Sequence, residues 1–211
     1  MVEGKPATGR RRRVDGEASR ARILDAATAI AAERGYEGTS IGAVSAKCGL
    51  PASSIYWHFK DKDDLIAAVI ERSFSTWLPA WTMPDDGEPV ERVVAMATQI
   101  AKALLESPDF LRLGLMLALE RRPVEPRARA VFVQVRQQAF DTVARAMREL
   151  VPLSDAQVHQ LTTYAMAGAD GLFVANEIGG DSVDLVALFE LHARAIYAMA
   201  VRMADGTFGS P

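Results

Sequence analysis

The chain has 211 residues, 49% of them hydrophobic and 24% charged, with a net charge of −3, a composition ordinary for a globular protein of one large or two small domains. No apolar run approaches the roughly 18 residues that a membrane-spanning helix needs, and no apolar stretch follows the N-terminal arginines as a secretory signal requires. A lone cysteine, Cys48, excludes an internal disulfide and suits a reducing cytoplasm.

The charge is unevenly spread. Residues 1–60 hold ten Lys or Arg against six Asp or Glu, a net of +4, and residues 61–211 carry −7. A basic head on an acidic body suits a chain that only its head brings to a polyanion.

Residues 1–17 are rich in Gly, Arg and small polar types without periodicity, which predicts a disordered tail bearing the run Arg10, Arg11, Arg12, Arg13. From Ser19 a helical pattern puts Ile23, Ala26, Ala27 and Ile30 on one face, and Gly35 ends it. Thr39 or Ser40 can cap a second helix with Ile41, Val44 and Ser45 inward, stopped by Gly49. Gly49, Leu50 and Pro51 form a tight turn into a short third helix over 52–59. Asp61 is placed to cap a fourth, from Lys62 to about Ser75, before Pro79, Pro84 and Gly87 interrupt the chain. Further helices are predicted over 90–106, 109–120 and 126–150. Ser154, Asp155, Ala156 and Gln157 form a capping-box pattern opening a helix toward Gly179, and 182–203 makes the last. With no alternating pattern and no repeat, the expected fold is all-α, about nine helices. A tail (1–17) precedes a small three-helix domain (18–64), and a C-terminal helical bundle (65–211) follows.

The third helix carries an unusual string, Tyr56, Trp57, His58 and Phe59 running into Lys60 and Lys62. A helix this short cannot bury rings all round its circumference. At ~100° per residue, Ala52, Ile55 and Phe59 fall together and can pack on the two preceding helices. Ser53 and Trp57 fall opposite, with Ser54 and Lys60 at the margins and Tyr56 and His58 flanking. Helix, glycine-containing turn and short second helix is the helix-turn-helix arrangement, whose second helix enters a DNA major groove. Tyr56, His58, Lys60 and Lys62 supply the hydroxyl, imidazole and ammonium groups that grip phosphates. Small Ala52, Ser53 and Ser54 permit close approach to base edges, and Trp57 can pack on sugars or a thymine methyl. The arginines at 10–13 suit either a basic arm on DNA or a merely solvated charge run.

Residues 23–65 resemble the N-terminal domain of the TetR family of transcriptional regulators. The likeness runs through Ile23-Leu-Asp-Ala-Ala27, Glu33-Arg-Gly-Tyr-Glu-Gly-Thr-Ser40 and the Gly49-Leu50 turn. It is strongest in Ile55-Tyr-Trp-His-Phe-Lys-Asp-Lys62, followed by Asp64-Leu65. The resemblance implies that Tyr56, His58 and Lys62 contact or position phosphates and that residues 52–54 and 57 face the groove; Ser40 and Lys60 complete the DNA-facing set. It also implies a homodimeric repressor on a palindromic operator, released by a small molecule. The sequence departs from the family at Ala31, where an aromatic is common, at Pro51 and at Ser53, so base preference does not transfer.

For the body, flexible Met and broad aromatic side chains suggest an apolar effector site between the helices of 61–81, 90–120 and 126–150. Its candidate lining is Trp81, Met96, Ile100, Phe110 and Leu113, with Met116, Leu117, Phe132, Gln138 and Tyr164. The last two helices are apolar on more than one face, which suggests a twin subunit as second partner. Leu161, Ala165, Ala169, Leu172 and Phe173, then Leu188, Leu191 and Ile196, are the candidate interface, and Asp170 is read as structural. His58, His159 and His192 are far apart, and no metal, phosphate-loop, dinucleotide or nucleophile-elbow motif is present. No metal, cofactor or catalytic residue is therefore expected. An all-helical enzyme or a protein-interaction bundle is the alternative, and the latter leaves the Tyr56–Lys62 cluster without a role.

Overall fold

The computed structural model describes residues 8–120 and 123–208, with side chains from Asp15 onward. Among them are nine α-helices and no strand. They are α1 (Thr8–Gly38), α2 (Ile41–Cys48), α3 (Ala52–His58), α4 (Lys62–Trp77), α5 (Pro89–Glu106), α6 (Asp109–Leu119), α7 (Arg127–Leu150), α8 (Asp155–Gly179) and α9 (Leu185–Ala204). Short 3-10 turns, Leu78–Trp81 and Gly180–Ser182, follow α4 and α8. The all-α architecture is the expected one.

Local signals set most of the helix ends. Ser40 Oγ accepts from Ala43 N (3.2 Å), Asp61 Oδ1 from Asp64 N (2.8 Å), and Ser154 and Gln157 form the reciprocal capping box. The kink at Gly35 (φ 67°, ψ −172°) interrupts α1, leaving a last turn that carries Tyr36 and Glu37. Two boundaries differ from the sequence reading. Helix α9 starts at Leu185, capped by Asp184, because the Gly180–Ser182 turn uses up the residues expected to begin it. At the N-terminus α1 begins at Thr8, so the backbone over 8–17 is helical rather than disordered. Arginine is a good helix former, and a solvated extension needs no apolar stripe for periodicity to detect. The side chains of Arg10, Arg11, Arg12 and Arg13 lie outside the described residues.

Contacts divide the chain into two compact units that interleave along it, Met1–Ser73 with Asp109–Val133, and Phe74–Pro108 with Gln134–Pro211. In the first, Ile23 and Leu24 of α1, Val44, Ile55, and Leu65, Ile66 and Ile70 of α4 are sealed from solvent together with Leu117 of α6. Helix α6 packs on α1, where the methyl of Met116 covers Gly35. Phe132 lies flat on Gly114 and 5.9 Å from the ring of Phe110. This corrects five of the expected effector contacts. Phe110, Leu113, Leu117 and Phe132 are core of the first unit, and Met116 is half exposed with its tip on α1.

In the second unit α9 packs against both α5 and α8. Arg136 of α7 forks onto Asp170 of α8 (2.9 and 2.6 Å). Burial pushes the Asp170 carboxyl above its ordinary range, against the pull of Arg136. Asp170 is thus a helix-to-helix tie.

The Gly114–Phe132 contact yields a direct test. A methyl group at 114 would stand 1.9 Å from Cε2 of the Phe132 ring. Gly114→Ala is expected to destabilise the protein by about 1–3 kcal/mol, read from urea unfolding.

Candidate functional site

The helix-turn-helix is built from α2, its turn and α3. Gly49 occupies the left-handed region (φ 67°, ψ 23°) that ends α2 and that a side chain would strain. Ser45 Oγ donates to Leu50 O (2.6 Å) and Arg22 Nη2 to Cys48 O (2.7 Å), so the turn is held from both within and from α1.

Helix α3 is two-sided as its wheel predicts. Ile55 is 0% and Phe59 3% exposed, whereas Trp57 is 77% and Tyr56 56% exposed. Ser53 and Lys60 are exposed too, and Ala52, Ser54 and His58 are half-buried. Arg20 lies over the Phe59 ring (5.3 Å). His58 meets Trp57 edge-on at 4.6 Å, and burial, with the Arg20 guanidinium second, pushes its imidazole below the usual 6.5. At neutral pH His58 is thus a neutral hydrogen-bonding group rather than a cation. The Trp57 ring also comes alongside Gly16, so the helical extension of α1 passes beside the exposed face of α3.

Two expected residues are already engaged. Ser40 is the cap of α2. Lys62 Nζ donates to Tyr36 O (3.3 Å), sits 3.5 Å from Glu37 Oε2, and stacks 4.3 Å over the Tyr36 ring. Of the roles the resemblance implies for Lys62, contact or positioning, this geometry favours positioning.

One residue escaped the sequence reading. Asp63 Oδ1 accepts from Tyr36 Oη (3.2 Å) and Ala128 N (3.1 Å), and its Oδ2 from Arg127 N (2.5 Å), while the Arg127 side chain pairs with Asp64. The first turn of α4, directly after α3, therefore caps the start of α7. Its partners on α7 lie more than 60 positions away, and no local signal announces such a pairing.

The second unit holds a cavity of about 100 Å³ among α5, α7, α8, α9 and the 3-10 turn before α5. Trp81, Met96 and Ile100 of the expected effector set lie on its wall. Gln138 and Tyr164 are exposed elsewhere, and the expected site extending over α6 is displaced to α8 and α9. The expected interface residues also separate. Leu161, Phe173 and Ile196 are buried within the subunit, Ala165 and Ala169 line the cavity, and Leu172 and Leu188 are half-buried. Only Leu191, 64% exposed, faces out. The outward apolar side chains on α8 are instead Tyr164, Val174 and Ile178, the last 83% exposed. A helix apolar nearly all round offers no period by which to choose its faces. Among the described residues no cluster of three metal-ligating side chains occurs, and no helix is long and apolar enough to cross a membrane.

The described residues form an all-α chain with a braced helix-turn-helix at its head and an apolar cavity in its second unit, the architecture with which known proteins can be compared. Residues 23–69 match the family model of the bacterial regulatory proteins of the tetR family. It is 36% identical over 66 residues (31% of each chain) to the HTH-type transcriptional regulator AcrR of Shigella flexneri. To the HTH-type transcriptional repressor KstR of Rhodococcus jostii it is 28% identical over 139 residues, 64% of this chain and 63% of that one. The chain thus spans less than two thirds of the length of either relative. The solved structure of the fatty acid degradation regulator FadR from Bacillus halodurans shares the fold, with a TM-score of 0.70 at 14% identity, covering 92% of this chain and 96% of that one.

The environment of His58 can be checked by NMR titration. Its imidazole is expected to titrate below 6.5, and Arg20→Ala to bring it part of the way back, since burial is the larger cause.

Proposed function

We propose that this chain is a DNA-binding transcriptional repressor, acting in the cytoplasm as a homodimer on a palindromic operator and released by a small apolar molecule. The observation that carries the reading is the split of α3. Its aliphatic and Phe59 side is buried, and its Ser53, Tyr56 and Trp57 side is exposed, with the α1 extension passing beside Trp57 at Gly16. An exposed tryptophan beside an exposed tyrosine on a seven-residue helix calls for a partner surface, and the helix-turn-helix geometry suits a major groove. Tyr56 and Lys60 would grip phosphates, Ala52, Ser53, Ser54 and Trp57 would approach base edges, and His58 would donate or accept as a neutral group. The arginines at 10–13 would extend the phosphate contacts, since α1 continues past Gly16 beside Trp57.

Dimerisation is supported by apolar stripes on the solvent side of α8 and α9. On α8 it comprises Tyr164, Ala167, Gly171, Val174 and Ile178; on α9, Ala187, Leu191, Ala195 and Ala198. A stripe of this kind, with small residues that admit close helix approach, fits pairing with a second copy. Pairing would set two recognition helices about 34–36 Å apart, one turn of DNA. A molecule in the cavity, lined by α5, α7, α8 and α9, would bias the spacing of the two heads by favouring one conformation over another.

Two experiments test the reading. In a gel shift on DNA flanking the protein's own gene, Tyr56→Ala and Trp57→Ala should each weaken binding at least tenfold, with the circular-dichroism spectrum unchanged because both side chains are exposed. Full retention of affinity by both would sink the assignment. In sedimentation, Ile178→Glu with Leu191→Glu should yield monomers; a persistent dimer would place the interface elsewhere.

A further inference from the structure

We propose that Arg20 of α1 and His58 of α3 form a subsite for a single DNA phosphate. The inference rests on the DNA-binding reading above and adds to it a residue of α1 and a dependence on pH.

Most cations around the helix-turn-helix already have a partner. Arg34 and Lys47 lie beside Glu33, Lys62 beside Glu37 and Arg72 beside Asp25, while Arg22 donates to Cys48 O. Two stand apart among the described residues. Lys60 is bonded only through its backbone N, which donates to Asp64 Oδ2, and the Arg20 guanidinium is held only by the ring of Phe59. Lys60 already belongs to the phosphate-gripping set; Arg20 is the cation without an assignment.

The contact with Phe59 fixes the guanidinium without consuming it. Phe59 is buried, and Arg20 Cζ lies 5.3 Å from its centroid, so the guanidinium rests on a rigid floor. Its N–H groups stay around the rim, where a phosphate oxygen can accept them.

The imidazole of His58 borders the same floor. Its centroid is 6.1 Å from that of Phe59 and 4.6 Å from that of Trp57, which meets it edge-on. Arg20 is the charged group that α1 brings toward it, close enough to oppose a proton on the ring, and Lys60 follows two residues along the chain. Among the described residues no carboxylate pairs with either Arg20 or His58. A cation beside a protonatable ring, with no acid between them, is an arrangement that an anion relieves. On DNA that anion is a phosphate, and guanidinium and imidazole both bind one.

The sign of the pH dependence follows. In the free protein burial and Arg20 keep the imidazole below 6.5, so it is neutral at neutral pH. A phosphate against it favours the protonated form and lifts that value in the complex. Binding then takes up a proton as the solution is acidified. Affinity rises as pH falls through the bound value and levels off below the free one.

Anisotropy titrations on duplex DNA flanking the protein's own gene make the test. From about pH 8 to about pH 5.5 the unmutated protein should bind several-fold tighter, and His58→Gln should lose most of that gain. Arg20→Gln should weaken binding roughly three- to tenfold and lower the slope of log K against log salt by about 0.9, the share of one phosphate; Arg20→Lys should keep the slope. An arginine that merely shields Phe59 would lower stability and leave the slope alone. A neutral methylphosphonate placed at each position in turn should reveal one phosphate whose loss costs the unmutated protein affinity, and costs Arg20→Gln and His58→Gln distinctly less. An unchanged slope in Arg20→Gln, a parental pH profile in His58→Gln, or variants insensitive at different phosphates would each overturn the inference and leave the DNA-binding reading standing. A protein that binds no duplex at any pH would sink both.

Discussion

A helix of seven residues does not hold its shape in water, where isolated helices below ~12–15 residues are marginal. Helix α3 exists because Ile55 and Phe59 sink into the hydrophobic interior formed with α1 and α2, and that burial decides everything on the opposite face. With those two anchors inward, the helical period leaves Tyr56 and Trp57 no choice but solvent. The arrangement looks wasteful for a lone protein, since two large aromatic surfaces stay wet. It makes sense for one that presents a rigid, pre-shaped face to something else.

That face is also braced from behind. Lys62 ties the start of α4 to the last turn of α1, and Asp63 reaches the same Tyr36 and the first amides of α7. A carboxylate receiving two backbone N–H groups at a helix start satisfies donors that would otherwise be orphaned and suits the positive end of the helix dipole. Three chain segments distant in sequence thereby meet at the residues immediately following the recognition helix. Orientation of α3 is thus set by polar ties around α4 as well as by the core beneath it.

What the sequence disclosed and what it withheld divide along physical range. The Ser40 cap, the Gly49 turn, the Ser154–Gln157 box and the two faces of α3 depend on residues within four positions of one another, and all were legible. The helical extension before Ser19 was not, because a solvated helix has no buried stripe to impose a period. The position of α6 in the first unit was hidden for another reason. Phe110, Leu113, Leu117 and Phe132 look like pocket residues and core residues alike, and only the contact with α1 and Gly114 makes them core. The same ambiguity misassigned the faces of α8. Leu161, Phe173 and their neighbours are apolar on every side, so Tyr164 and Ile178 emerged as the outward set only once the helix had been rotated into place. Trp81 stood among the candidates as a broad aromatic side chain, yet its unpaired indole proton is a property of three-dimensional surroundings.

The interleaving of the first unit bears on how portable its helix-turn-helix is. A fragment ending soon after the recognition helix would keep every residue of the helix-turn-helix signature and still lose the segment from 109 to 133. Its α1 would show water the patch that α6 conceals, and Asp63 would be left without the amide partners it holds on α7. Transplanting this helix-turn-helix into a chimera therefore calls for a discontinuous graft, two stretches of polypeptide moved together, and a cut chosen by motif alone would deliver the letters of the domain without its keel.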